Sequence, residues 1–467
     1  MPSFSGKFQY LNADGATVQA GACQVTFDES TLTLVPAAGA PLAFDLGDID
    51  LFQLGEYELT LTLYTGKKIL LQQFGKAFQN LSHDLLEAFR QRLIQCLLLE
   101  DLEEITRFDG FAQLSSAASP AQQFASPAEF RLYRSNLAVL PTLAMGFQWR
   151  LADIDAVKFD EANYTLVLES GGERLTVTKL AKRTREFRER LENSVAQLNQ
   201  LSANTLHEIF PFLNPDQLQQ AALLMREGHA APLRGLKDIH PQTEQGLVAN
   251  VIDAKLKPYF DALLKHVPPG WGYAGFKLLR EEEEPDEAEA EPPVEESLTA
   301  SAGVGKEPPE EAPEEPAQQA PEEETEKQPI LYWFFFPLAT KPGAKSPGNL
   351  VAWEATSKGG RATYFFRLLP PEQARVRTDP SQAPAAVDAA IRQLNRALVL
   401  LNFRREPIYL PDDSLELQPR FRRYAIACRK LPELRRLRAS FLGRAIHTSL
   451  QAWNRQFEAF LANASGS

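Results

Sequence analysis

Residues 46–50 read Leu-Gly-Asp-Ile-Asp, and residues 151–155 read Leu-Ala-Asp-Ile-Asp. These pentapeptides belong to a longer correspondence: at a constant offset of 105, residues 25–70 align without a gap on residues 130–175, and 13 of the 46 pairs are identical. Besides the pentapeptide, the identities include Leu32/Leu137, Pro36/Pro141, Glu56/Glu161, Leu61/Leu166, Leu63/Leu168, Gly66/Gly171 and Leu70/Leu175. Other pairs, such as Phe44/Trp149 and Leu34/Val139, keep only their apolar character. An ungapped self-match of this length marks one module written twice.

Within each copy the apolar residues alternate with period two, as in Leu32, Leu34 and Phe44, Leu46 of the first and Leu166, Leu168 and Leu175, Val177 of the second. That spacing predicts half-buried strands. Thr65-Gly66-Lys67 and Ser170-Gly171-Gly172 sit between two such runs, where a hairpin turn needs glycine. The period then changes to 3.6, with Leu85, Phe89, Leu93, Leu97 on one face after the first copy and Phe187, Leu191, Val195, Leu198 after the second. Each unit therefore reads as several antiparallel strands closed by one amphipathic helix.

Six or seven short strands followed by a single long helix, over residues 5–105 and 125–202, resemble the pleckstrin-homology-like and GRAM-like superfold. The resemblance is one of element order and carries no motif. It implies a strongly bent sheet plugged by its helix, and docking of phosphoinositides, peptides or histones. The basic first hairpin of a phosphoinositide binder is missing, because Asn12 to Thr26 holds no Lys or Arg.

Working outward, residues 203–280 read as a helical subdomain. Asn214 is the expected N-cap with Pro215 behind it, Gly228 the stop, and a second helix is expected from Thr243 to His266 with a break near Pro258. Residues 281–328 are rich in Pro, Glu and Ala and nearly free of large apolar side chains, the composition of a disordered acidic linker. Residues 329–463 open with Ile330-Leu-Tyr-Trp-Phe-Phe-Phe336, a run that reads as a buried strand. Strands at Leu350–Glu354 and Ala362–Arg367, joined through Lys358-Gly359-Gly360, are expected next, then helices from about Pro384 to Asn402 and from about Leu431 to Leu461. The fold class is thus α+β multidomain: tandem modules at 1–107 and 125–202, a helical subdomain, an acidic linker and a basic C-terminal α+β domain.

The net charge of -12 is unevenly spread, since residues 281–327 carry 19 acidic and 2 basic side chains, a local -17 that leaves +5 for the remainder. The N-terminus lacks a basic start followed by an apolar run, and no apolar stretch approaches the roughly 20 residues of a membrane span, which points to a cytoplasmic protein. Cys23, Cys96 and Cys428 are too few and too scattered for a disulfide framework or a zinc ribbon, and read as buried small hydrophobes.

Little in the chain suggests catalysis. Gly270-Trp-Gly-Tyr-Ala-Gly275 matches the dinucleotide fingerprint only formally, since a helix precedes it and the acidic segment follows; Gly303-Val-Gly-Lys306 lacks the rest of a phosphate loop. The six histidines have no ligand spacing, and Cys428 with His447 has no local signature of a thiol and its base. Asp48/Asp50 and Asp153/Asp155 offer paired carboxylates that either hold a divalent cation or, the reading favoured here, form a solvated face. No catalytic, cofactor-binding or metal residue is therefore assigned.

The most suggestive feature is a basic cluster, Arg420, Arg422, Arg423, Arg429, Lys430, Arg435, Arg436 and Arg438, continued by Arg444. Guanidinium forks suit phosphates, so the cluster either engages nucleic acid or another anionic surface, is screened by the acidic linker, or is a solvated helix face. The expectation is a non-enzymatic scaffold or adaptor that binds protein partners through the tandem modules. A nucleic-acid- or anionic-surface-associated factor autoregulated by its acidic linker is the alternative. An enzyme whose pocket gathers Tyr332, Trp353, Arg404, Arg405 and Tyr409 is the second.

Overall fold

The computed structural model describes residues 3–116, 123–279, 330–356, 362–369 and 383–465. The acidic segment at 281–328, the Gly303–Lys306 stretch and the Lys358-Gly359-Gly360 turn lie outside them.

The first sheet holds β1 (Ser3–Leu11), β2 (Thr17–Phe27), β3 (Thr31–Pro36), β4 (Leu42–Asp45), β5 (Ile49–Leu54), β6 (Glu58–Leu63) and β7 (Lys68–Gln72), followed by helix α1 (Phe78–Cys96). Its strand order is β4-β3-β2-β1-β7-β6-β5, antiparallel throughout. The second sheet holds β8 (Glu104–Ser116), β9 (Phe124–Tyr133), β10 (Asn136–Pro141), β11 (Phe147–Arg150), β12 (Ala156–Asp160), β13 (Thr165–Ser170) and β14 (Glu173–Thr178), followed by α2 (Arg183–Ile209). Its order, β11-β10-β9-β8-β14-β13-β12, is the first sheet's order again. Strands β3 and β4 and the 3-10 turn Leu46–Asp48 recur 105 residues later as β10, β11 and the turn Leu151–Asp153. These curled antiparallel sheets are compatible with pleckstrin-like modules.

Alternation explains why the sheets close on their helices. Leu32, Leu34, Leu59 and Leu61 point inward from the first sheet, and Leu81, Leu85, Phe89 and Leu93 of α1 meet them, all buried. Each such side chain contributes about 1.5–3 kcal/mol by leaving water. In the second module Leu137, Leu166, Leu168 and Val177 face Phe187, Leu191 and Leu198 of α2. The first strand of this sheet, β8, starts at Glu104, ahead of the expected start at 125. Helix α2 continues to Ile209, across the expected boundary at 202.

Short helices follow: α3 (Pro215–Leu224), α4 (Leu233–Ile239), α5 (Thr243–Val251) and α6 (Lys257–Leu264). Asn214 caps α3 in a capping box with Gln217, as its sequence predicts. The expected Thr243–His266 helix is two helices, parted at 252–256, and Pro258 lies in the first turn of the second, where its missing N–H is harmless.

The third sheet departs most from expectation. Its order is β15-β16-β17-β18-β19-β20, with β15 (Ala231–Pro232), β16 (Tyr273–Leu278), β17 (Ile330–Leu338), β18 (Leu350–Ala355), β19 (Ala362–Arg367) and β20 (Phe441–Ile446). Strand β16 pairs with β17 from Tyr273↔Phe335 to Leu278↔Ile330, so residues on both sides of 280–329 form one sheet rather than two adjoining units. The glycines of the apparent dinucleotide fingerprint serve this packing. Gly270 adopts φ +78°, and a Cβ on Gly275 would lie 2.4 Å from the Trp333 ring. In β17, Trp333 and Phe335 face one core while Phe334, Phe336 and Leu338 face another, as expected of a strand covered on both sides.

Helices α7 (Ala383–Leu400), α8 (Glu406–Tyr409), α9 (Asp412–Leu417), α10 (Arg422–Lys430), α11 (Pro432–Ser440) and α12 (Leu450–Ser465) complete the chain. The helix expected from Leu431 to Leu461 is instead α11, edge strand β20 and α12. Gly443, at φ +147°, sits where the β19–β20 register shifts, and its bare Cα lies under the Phe460 ring. Strands and helices of the first module share a single core cluster with one face of the third sheet and with α7 to α11.

Candidate interaction site at the seam of the sheets

The duplicated Asp-Ile-Asp turns lie where the C-terminal helices meet the modules. In the first copy, Asp45 caps the turn by accepting from the Gly47 amide and takes a two-pronged bond from Arg92 of α1, Nε to Oδ1 at 2.9 Å and Nη2 to Oδ2 at 2.8 Å. Gly47 has no room for a side chain, since a Cβ would lie 2.8 Å from Cys96 Sγ and 3.2 Å from Ile426 Cδ1. The turn is thus wedged between α1 and α10.

From α10, Arg429 donates to Asp48 at 2.6 Å and stacks over the Tyr64 ring at 4.6 Å. Lys430, 4% exposed, donates to the Ile49 carbonyl at 2.8 Å and to Asp50 at 3.2 Å. Burial raises the Asp48 carboxyl above its ordinary range against the pull of Arg429, and the neighbouring Asp45 pushes the same way.

The second turn is held by a different helix. Arg396 of α7 reaches Asp153 at 3.2 Å and Ser170 Oγ at 2.6 Å, and His229 Nδ1 lies 3.3 Å from the other Asp153 oxygen. Arg150, the counterpart of Asp45, pairs with the buried Glu227 at 3.2 Å and donates to the Gly228 carbonyl. Burial opposes the Asp153 charge, yet the His229 hydrogen bond and the Arg396 and Arg150 charges hold this carboxyl well below its ordinary range. Asp155 turns back to accept from the Gly171 amide.

Asp48, Asp50 and Asp153 do not form the expected solvated face, since Arg429, Lys430 and Arg396, each more than 200 residues away, pair with them, whereas Asp155 is exposed. Among the described residues no group of three or more His, Cys, Asp or Glu side chains is placed to hold a metal ion. The basic cluster is largely spent in the same way. Arg422 lies 3.5 Å from Asp45, Arg423 pairs with Glu100, Arg429 and Lys430 hold the first turn, and Arg438 pairs with Asp412 at 2.6 Å. Arg435 donates to the Arg429 carbonyl, and Arg420 stacks over Phe421. Arg435, Arg436 and Arg420 are exposed. Arg444 lies over the Tyr409 ring at 4.2 Å.

No protein-family model and no curated protein matches this chain. Burial pushes the thiols of Cys23, Cys96 and Cys428 up to about 11, which leaves them as unreactive core residues. Cys428 packs in the core shared with the first module, whereas His447 stacks on Tyr259 at 4.2 Å and contacts Thr363, in the other core. Tyr332 and Trp353 face opposite sides of the third sheet, Arg405 lies over Tyr364, and Arg404 follows Phe403, which stacks on Trp353. Among the described residues no helix is long and apolar enough to cross a membrane.

Sequence reasoning missed Arg396, Arg150, His229 and Glu227. The only signal for the seam was the recurrence of Asp-Ile-Asp itself.

Proposed function

We propose that this protein is a non-enzymatic scaffold or adaptor, in which two pleckstrin-like modules are clamped in fixed relation and present their outer faces to protein partners. The observation that supports it is the use of the C-terminal cations: Arg396, Arg422, Arg423, Arg429 and Lys430 face carboxylates of the modules. A cation already paired and partly desolvated adds little to phosphate binding, because engaging a phosphate would first break its pair. The C-terminal unit is on this reading a clamp rather than a polyanion reader. A rigid scaffold also binds with a smaller loss of freedom than two modules on a tether.

The test uses the full chain and the exposed cations outside these pairs, combined as Arg420→Glu, Arg435→Glu and Arg436→Glu. Captured partners identified by mass spectrometry should be the same for wild type and triple variant and persist when salt is raised. Binding of labelled duplex DNA or phosphatidylserine vesicles that falls steeply with salt and vanishes in the triple variant would replace this reading with the polyanion one.

A further inference from the structure

On the first module a cleft of about 540 Å³, within the range that ligand sites occupy, opens between the β5–β6 turn, the end of β7 and the start of α1. Its walls are aromatic and acidic. Phe74 and Phe78 are buried, each 5% exposed, while Tyr57, 73% exposed, places its ring centroid 6.4 Å from that of Phe78. Glu56 and Glu58 flank Tyr57 on a turn that the Gly55 amide closes by donating to the Glu58 carbonyl at 2.7 Å. Glu58 accepts from the Thr60 hydroxyl at 3.3 Å and from Gln72, both neutral donors, and neither carboxylate has an ion pair among the described residues. The N-terminal end of α1 opposes them with about half a positive charge, and Lys76 in the turn before it is exposed but forms no wall of the cleft. The two carboxylates set the sign.

The fold itself does not demand these side chains. The bend between β7 and α1, with Gln73 and Gly75 at φ +61° and +56°, recurs between β14 and α2 with Lys179 and Ala181 at +61° and +50°. Yet in the second module Ala162 stands for Tyr57 and Asn163 for Glu58, and Thr184 follows the bend where Phe78 does in the first. Glu161, the counterpart of Glu56, is paired with Arg185 at 2.8 Å. The aromatic and acidic walls belong to the first module alone.

An aromatic face beside carboxylates attracts a cation, since the negative ring face and the charges act together. With Tyr57 and Glu56 exposed, the cleft encloses a free small molecule less deeply than a small-molecule site does, so its ligand must gain further contacts elsewhere, as a side chain carried by a protein does. We infer that the cleft receives an arginine or lysine side chain of a partner protein, its cationic head against the Tyr57 ring face and the carboxylates of Glu56 and Glu58. The inference rests on the scaffold reading and names one contact of it.

NMR titration of the full chain, isotope-labelled at its tyrosine and phenylalanine rings, with pentapeptides of glycine and serine around one central residue tests this. Central arginine, lysine or trimethyllysine should shift the Tyr57 ring saturably, and the tightest of the three identifies the head group; citrulline, the neutral isostere of arginine, and glutamate should not. Read at the Phe78 ring, Tyr57→Ala should weaken the arginine peptide about fivefold, the worth of one cation–π contact at an exposed site, and Tyr57→Phe should leave it unchanged. Glu56→Gln combined with Glu58→Gln should weaken it by a similar factor. No saturable shift from any of the three cationic peptides, citrulline bound as tightly as arginine, or an affinity untouched by both Tyr57→Ala and the paired glutamine variant would overturn this site. Capture of partners by the full chain is read separately, so a failed site and a failed scaffold are told apart.

Discussion

The two modules share a strand order and an Asp-Ile-Asp turn, yet the equivalent aspartates in those turns shift in opposite directions. Asp48 is held more readily protonated than an ordinary carboxyl and Asp153 far less so. Both are partly or wholly removed from water and both face an arginine of a C-terminal helix. What differs is the company each keeps: His229 and Arg150 stand beside Asp153, where Asp48 has Asp45. A like charge adds to the desolvation of Asp48, while an opposite charge and His229 outweigh the desolvation of Asp153. Duplication thus preserves the frame, while residues outside the repeat, His229 above all, set the electrostatics of its turns.

The sharpest way to break this comparison is to neutralise each aspartate. Asp153→Asn leaves Arg396 facing an uncharged partner in a buried site and should cost about 3 kcal/mol in urea unfolding. Asp48→Asn, at a partly exposed pair whose charge the fold disfavours, should cost under about 1 kcal/mol. Equal losses would mean that the turns are electrostatically equivalent.

A second, smaller contrast exchanges the turn residue between copies. Gly47→Ala brings in the alanine that the second module carries at Ala152, but its Cβ would meet Cys96 and Ile426, so a loss of about 1–2 kcal/mol is expected. The reverse change, Ala152→Gly, should lose no more than about 1 kcal/mol, through backbone entropy and a lost methyl.

The pH dependence sharpens the same point. The Asp153 contribution is complete above the ordinary carboxyl value of 3.8 and is lost as pH falls through its depressed value. For Asp48 the folded state binds the proton more tightly than the unfolded chain, so its term is unfavourable above the raised value and is relieved as pH falls. Measured between about pH 3 and 6, Asp153→Asn should flatten the loss of stability on acidification and Asp48→Asn should steepen it. The smallest effect is on titration alone: Asp45→Asn removes the like charge and should move Asp48 downward, as read by carboxyl NMR.

The legible parts of the fold were those with local period. The duplicated strands, the Gly66 and Gly171 turns, the Asn214 cap and the aromatic strand at Ile330 each announce themselves within about ten residues of sequence. The helix expected from Leu431 to Leu461 runs across β20, because only pairing with β19 marks Phe441–Ile446 as a strand. The pairing of β16 with β17 was hidden by the intervening segment, where composition suggested a boundary. The seam was the least legible, because Arg429 and Asp48 are 381 residues apart and nothing local to either encodes the other. Counting arginines located the basic cluster but not its counter-ions.

The β16–β17 ladder has a consequence for how the molecule can be taken apart. Cutting the backbone anywhere between 280 and 329 leaves two fragments, each holding strands of the same sheet, with Phe334 and Phe336 of one packed against Phe260 of the other. The nicked protein should therefore stay a single particle until denaturant is added. Residues 329–467 made alone would instead present β17 as a bare, aromatic edge prone to self-association. Co-expressing the two pieces as separate chains should rebuild the whole, so the pair can serve as a complementation reporter for assembly of the third sheet.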